Sequence, residues 1–281
     1  MREINTSVIT EAVRNAFIAA NTELPEAVKR KLLLAKESET NEKAKHILGL
    51  CLENAAVAKE RKIPICQDTG LPVVFIDVGQ DVHIVGDNLC DAINDGVREA
   101  YVGGNLRLSC VRDPLYDRTN TETGGPAVIH TSIVSGENIK IVVIPKGFGA
   151  ENTSFLRMFE PSASEDDIVT YIADMLQKSG SNPCPPTVIG VGIGGDFEYC
   201  AYLSKLALTE NPDKENPDKR YAKLEKKILD AINAKGIGPQ GFGGSTSALA
   251  VKILASPTHI AGLPVAVNVS CHVTRSFEVI L

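Results

Sequence analysis

Apolar positions along this chain recur first with a helical period and later with a strand period, and the switch between them outlines the fold. Asn5, Thr6 and Ser7 offer caps for a helix running to about residue 20, and residues 23–36 suggest a second. A third spans residues 41–61, with Ala44, Ile47, Leu48, Cys51, Ala55 and Ala58 on one face. Residues 73–78 are short and β-branched, which predicts a buried strand. Asp87 then caps a helix in which Leu89, Ile93 and Val97 recur every four residues. The β-rich runs 127–134 and 139–144, separated by Ser135-Gly136-Glu137-Asn138, predict a hairpin. Ser164 and Asp167 form a capping box for a helix to about residue 178, and residues 187–193 predict another buried strand. Asp196 opens a helix to about residue 208, residues 210–219 read as a surface loop, and a charged amphipathic helix covers 220–234. Two apolar runs, 248–254 and 265–269, close the pattern.

Strands and helices alternate without strict order, which predicts a mixed-sheet α/β fold with a helical N-terminal segment over residues 1–62. No internal repeat and no linker divides the chain. Residues 1–281 are therefore expected to act as one domain, with room for two lobes. Composition narrows the class. With 43% hydrophobic and 23% charged residues, the chain is an ordinary globular one. A net charge of -6 with interspersed signs leaves no nucleic-acid footprint. No apolar run approaches the roughly 18 to 20 residues of a membrane span. Met1-Arg2-Glu3-Ile4-Asn5 has no apolar signal core, so a cytoplasmic protein is expected. Seven scattered cysteines are expected to be buried, metal-binding or catalytic rather than bridged.

Two patterns compete for the chemistry. Gly190-Val191-Gly192-Ile193-Gly194-Gly195 matches G-x-G-x-x-G after a strand and before a helix, as a nicotinamide-dependent oxidoreductase would require. Such a site also needs a second strand ending in Asp or Glu about 20 residues on, and here that window is a proline-containing polar loop. The cysteines form the second pattern. Pro64-Ile65-Cys66-Gln67-Asp68-Thr69-Gly70 puts a soft ligand, an amide, a carboxylate and a hydroxyl in consecutive positions. Taken alone, it reads more simply as a buried Cys before an ordinary Asx turn, and only the downstream cysteines change that. Cys184 in Asn182-Pro183-Cys184-Pro185-Pro186 is expected on an extended, proline-stiffened mount, and Cys271 follows the last apolar run in Asn268-Val269-Ser270-Cys271-His272. Cys51, Cys90, Cys110 and Cys200 lack such punctuation. Wide spacing by itself argues neither zinc nor a ferredoxin-type cluster. Three thiolates would leave one iron of a cluster open as a Lewis acid. Arg107 could then clamp a carboxylate and Asp68 move a proton.

Together, the three cysteine motifs resemble the class I, iron–sulfur-dependent hydro-lyases, the family of class I fumarase and L-tartrate dehydratase. Val191-Gly192-Ile193-Gly194-Gly195 and Ile237-Gly238-Pro239-Gln240-Gly241 are similar to theirs, and the likeness spans nearly the whole chain. Arg118-Thr119-Asn120-Thr121, Pro126-Ala127-Val128-Ile129-His130 and Lys146-Gly147-Phe148-Gly149-Ala150-Glu151-Asn152 lean toward fumarase. Two departures bear on substrate identity rather than on the cluster. Glu122-Thr123-Gly124-Gly125 replaces Gly-Asp-Asn, and Phe148 stands where a third consecutive Gly is usual.

The resemblance implies a 4Fe-4S cluster held by Cys66, Cys184 and Cys271 with one open iron. Gln67, Arg107 and Gly149 would bind a small dicarboxylate, and Asp68 would transfer a proton. It further implies the α subunit of a fumarate hydratase in a hetero-oligomer, completed by a separate β subunit. L-tartrate dehydratase is the alternative within the family. His272 is expected to make a local hydrogen bond, its neighbour already filling the ligand role.

Overall fold

The computed structural model describes residues 2–281. In chain order the elements are β1 (Arg2–Asn5), α1 (Thr6–Thr22), α2 (Glu26–Ser38), α3 (Glu42–Arg61), β2 (Leu71–Gly79), β3 (Val82–Val85) and α4 (Leu89–Gly103). There follow β4 (Val128–Val134), β5 (Ile139–Lys146), α5 (Phe148–Glu151), β6 (Phe155–Phe159), α6 (Glu165–Ser179), β7 (Thr187–Gly195) and α7 (Phe197–Ala207). The chain ends with α8 (Lys219–Asn233), a 3-10 turn at Pro239–Gly241, β8 (Ala248–Thr258), β9 (Leu263–Ser270) and β10 (Phe277–Ile280). This is the mixed α/β fold that the pattern predicts. The chain forms two compact units, one of the chain up to Leu24 with Val57–Phe148 and Arg275–Leu281, the other of Pro25–Ala56 and Gly149–Thr274.

The first unit contains a four-stranded sheet in the order β10-β5-β2-β4 and a small parallel pair, β1 with β3. Asn5 caps α1 by accepting from the Ser7 N–H, and Ile9, Val13, Ala16 and Phe17 are fully buried in the core. They join Ile93, Val97 and Ala100 of α4 and Val74, Ile76, Ile139, Ile141 and Val143 of the sheet.

The predicted hairpin is not there. β2 lies between the two runs, parallel to β4 and antiparallel to β5. The physical reason is burial, because Val73, Val74, Phe75 and Ile76 are all buried and need a central position. Four turn residues readily span two strand spacings, about 9.5 Å. Backbone bonds from Gly79 N to Asn138 O and from Asp81 N to Gly136 O hold the end of β2 inside that turn. The cap of α4 is also displaced by one residue. Asn88, not Asp87, accepts from the N–H groups of Cys90 and Asp91.

The second unit contains the sheet β6-β9-β7-β8, in which β7 is parallel to β8 and antiparallel to β9. The Ser164–Asp167 capping box is present on α6, and Asp196 caps α7. Along β7 the faces alternate. Ile189, Val191 and Ile193 join the core with Ile172 and Leu176 of α6 and Ile228 and Ile232 of α8. Gly190 and Gly192 face α7, where an added Cβ would lie 2.1 Å from Ser204 O and 2.0 Å from Cys200 O, respectively. The glycines thus serve close helix-on-strand packing. Residues 208–218, where a dinucleotide site would have its acidic strand, contain no strand.

Gly192→Ala should therefore destabilise the protein by at least the ~1–3 kcal/mol typical of overpacking, because backbone rather than a side chain blocks the methyl group. Gly103→Ala, with nothing within 4 Å of the new Cβ, should leave stability within about 1 kcal/mol of the wild type. Urea denaturation of both variants checks the contrast.

Candidate functional site

In the first unit, the chain leaves α3 and enters a pinned turn. Lys62 takes a left-handed conformation, Ile63 N donates to Ala58 O, and the buried Ile65 donates its N–H to Asn21 O at 2.9 Å. Gly70 ends the turn at φ +82°, so close to β5 that a Cβ would lie 2.4 Å from the Pro145 carbonyl carbon. Between them the Asp68 carboxylate accepts the Gly70 N–H on Oδ1 at 2.9 Å and the Phe148 N–H on Oδ2 at 2.8 Å.

Buried donors hold the turn from beneath. Arg275 Nη2 donates to Asp68 O at 2.5 Å, and the Tyr101 hydroxyl lies 2.9 Å from both Thr69 O and Gly70 O. Burial pushes the Tyr101 phenol well above its ordinary pKa, so it remains a donor at any working pH. Thr69 Oγ1 accepts from Arg107 N at 2.9 Å and donates to Arg107 O at 3.1 Å. Arg107 thereby stands beside the turn with its side chain exposed, as is Gln67, while Cys66 and Asp68 are half-buried. Cys66 Sγ lies 3.5 Å from Gln67 Oε1. The structure thus brings Cys66, Gln67, Asp68 and Arg107 together.

The second unit assembles the other predicted residues. Cys184 is not extended. It sits at φ +54°, with its N–H bonded to Ser181 O, before a cis peptide between Pro185 and Pro186. The flanking prolines fix the loop, but closing it on Ser181 requires a left-handed residue at Cys184. Pro185 O accepts from both the backbone N–H and the side-chain amide of Gln240, each at 2.7 Å. Cys184 O accepts from His272 N at 3.2 Å, which brings the backbones of Cys184 and Cys271 side by side. His272 Nδ1 lies 3.1 Å from both Cys184 O and Gln240 Nε2, so the imidazole bonds locally to the loop. Gly149 neighbours Asn182, whose carbonyl oxygen would be 3.5 Å from an added Cβ.

Cys51, read from the sequence as a core residue, belongs to this neighbourhood. Its thiol is pushed up to about 11, chiefly by burial and further by the sulfurs of Cys271 and Cys184. Periodicity could not reveal this, because Cys51 also fits the apolar stripe of α3. Tyr101 is hidden in the same way, as one more core position of the Leu89, Ile93, Val97 stripe, whereas Arg275 lies where nothing in the spacing singles it out.

Among the described residues, no set of three or more His, Cys, Asp and Glu side chains is gathered so as to hold a metal ion. Cys184 and Cys271 share the second unit and Cys66 belongs to the first. As donors, the three suit an iron–sulfur cluster. Cys184 is exposed and Cys66 and Cys271 are half-buried, all offering soft sulfur. Cys110 and Cys200 do not, for burial raises both thiols and Cys110 donates to Gly124 O at 2.8 Å.

Comparison with known proteins now bears on the site. The family model described as fumarate hydratase (Fumerase) matches residues 10–280. A protein of Methanocaldococcus jannaschii named "Putative L(+)-tartrate dehydratase subunit alpha" is 35% identical over 271 residues, covering 95% of each chain. The L(+)-tartrate dehydratase subunit alpha of Escherichia coli K12 and that of Shigella sonnei are each 30% identical over 269 residues, covering 95% of this chain and 88% of their own. With its motifs spread along a match of this extent, the chain belongs to the fumarate hydratase (Fumerase) family of hydro-lyases.

Proposed function

We propose that the chain is the α subunit of a two-subunit hydro-lyase that adds water reversibly to fumarate, giving (S)-malate. The observation that carries this reading is the pinned turn, which presents Cys66, Gln67 and Asp68 in consecutive positions and is tied through Thr69 to Arg107. Residues 1–281 would work as one functional domain, inactive until a separate β subunit supplies further substrate-binding and proton-transfer groups. Cytoplasmic residence belongs to the same proposal, since accessible thiols persist in a reducing compartment. No helix among the described residues is long and apolar enough to cross a membrane.

Cys66, Cys184 and Cys271 would hold a 4Fe-4S cluster by their sulfurs. Bound there, the cluster supplies an open iron that polarises the C2 hydroxyl of malate as a Lewis acid. The guanidinium of Arg107 and the amide of Gln67, both exposed, bind and orient the substrate carboxylates. Gly149, with no side chain, leaves room for the substrate beside Asn182. Asp68 holds or releases the transferred proton on its carboxylate. Each oxygen already accepts one backbone N–H, which fixes the carboxylate plane and leaves lone pairs on both for the proton.

A second reading, dehydration of L(+)-tartrate, is favoured by the names of the relatives above. Steady-state rates of the anaerobically purified α–β complex on malate and on L(+)-tartrate decide between them, the larger kcat/KM naming the substrate.

Electron paramagnetic resonance of the reduced complex tests the centre itself. A cluster signal that shifts with malate or fumarate and disappears in Cys184→Ser is expected, and a folded complex without a cluster would sink the reading. Asp68→Asn should lower kcat by about 10²- to 10⁴-fold, the usual worth of a positioned acid–base group, with the cluster signal retained. Alkylation supplies a third check. In the loaded complex iodoacetamide should label the exposed Cys90, while Cys66, Cys184 and Cys271 resist. Removing the iron with a chelator should expose Cys66 and Cys184, whereas Cys51 should stay slow at pH 8 because its thiol is raised to about 11.

A further inference from the structure

Arg275 is a buried cation that the fold alone does not require. It stands four residues after Cys271, is 5% exposed, and begins the last segment of the first unit. Nη2 donates to Asp68 O at 2.5 Å, while Nε and Nη1 are buried without a hydrogen-bond partner. A guanidinium is always charged and carries five N–H donors. Burying one with donors unsatisfied opposes folding, and an apolar side chain of similar volume would be easier to accommodate. A single carbonyl does not call for a charge either. The neutral hydroxyl of Tyr101 serves the carbonyls of Thr69 and Gly70 in the same turn. What a guanidinium adds is a short, charge-assisted bond, stronger and more directional than a neutral one. It is applied at Asp68, between the two backbone N–H groups that orient the carboxylate.

We propose that Arg275 is a positioning residue, fixing the main chain at Asp68 and through it the directions of the Gln67 amide and the Asp68 carboxylate. The proposal rests on the roles given above to Gln67 and Asp68. A misplacement of about 1 Å at such groups can cost about 100-fold in rate, so the guanidinium is retained for geometry at the expense of stability.

The test uses Arg275→Met and Arg275→Lys in the full chain, coexpressed with its β partner. Hydrogen exchange over residues 64–72, thermal melting, and kcat and KM for fumarate hydration are measured on each. The Met variant should melt no lower than the wild type, since the unsatisfied buried charge is gone. Its exchange at residues 66–70 should accelerate at least tenfold, and kcat should fall about 100-fold with KM within about threefold. The Lys variant, charged but without the planar fork, should fall between the two. Unchanged exchange and kcat in the Met variant overturn the proposal, as does a drop in melting temperature that accounts for the lost activity. Should the Met variant not fold, wild-type exchange in the Lys variant is the overturning result. A wild-type complex that hydrates no dicarboxylate sinks the functional reading instead, and the exchange arm then decides by itself whether Arg275 fixes the turn.

Discussion

A turn that presents a thiol, an amide and a carboxylate in consecutive positions needs its main chain held from within. Cys66-Gln67-Asp68 meets that constraint through the carbonyl oxygens of Asp68, Thr69 and Gly70, which are met by the Arg275 guanidinium and the Tyr101 hydroxyl. An unpaired carbonyl in a turn is costly, and the neutral Tyr101 hydroxyl offsets that cost at Thr69 and Gly70. The Arg275 guanidinium, by contrast, meets Asp68 O only by burying a charge with Nε and Nη1 unmatched. Much of the first unit follows from seating these two side chains. Tyr101 needs α4 to carry it, Phe17 of α1 to pack edge-on against its ring at 5.9 Å, and Gly124 at φ +76° to make room for that ring. Gly70 must in turn lie flat against β5.

The second unit solves a different problem with the same economy of side chains. Its loops around Cys184 and Cys271 are tied to one another by main-chain groups, Cys184 O to His272 N and Pro185 O to Gln240. Gln240 itself adopts φ +52° to present both its backbone N–H and its amide to one carbonyl. The glycine-rich stretch therefore works as a clamp on the proline-flanked cysteine. The other glycine-rich stretch, in β7, lowers α7 onto the sheet. The β7 stretch matches a dinucleotide loop when only its spacing is read, and close helix-on-strand packing accounts for its glycines.

That ambiguity marks how far the sequence was legible. All the helices but the four-residue α5, their caps at Asn5, Ser164 and Asp196, and the central strands were readable because each is a local pattern of apolar spacing and capping chemistry. The strands β1, β3, β6 and β10 were not, being four or five residues long with mixed polarity. Pairing was misread between β4 and β5 because turn length does not say whether a third strand fills the gap. At the site, the cysteine turns stood out by their punctuation. The partners that fix the first of them, Arg275, Tyr101 and the Phe148 N–H, are distant in sequence, and the local patterns around them say nothing of the turn. Cys51 was hidden by fitting two patterns at once.

The two departures from the fumarase pattern acquire a physical meaning from the same turn. Phe148 has no left-handed backbone, so glycine is not required there for conformation, and its N–H still reaches Asp68 Oδ2. The side chain is 46% exposed, so the substitution leaves the anchor intact and changes only the surface next to the carboxylate. Glu122 is different. It stands where the pattern has its glycine, and it adopts φ +61°, a conformation costing a non-glycine residue about 1–3 kcal/mol. Two residues on, Gly124 keeps its own positive φ and its place against Tyr101, so the strain at Glu122 does not reach the donors of the turn. At Phe148 the departure therefore alters a side chain beside the anchored carboxylate and leaves the anchoring N–H in place.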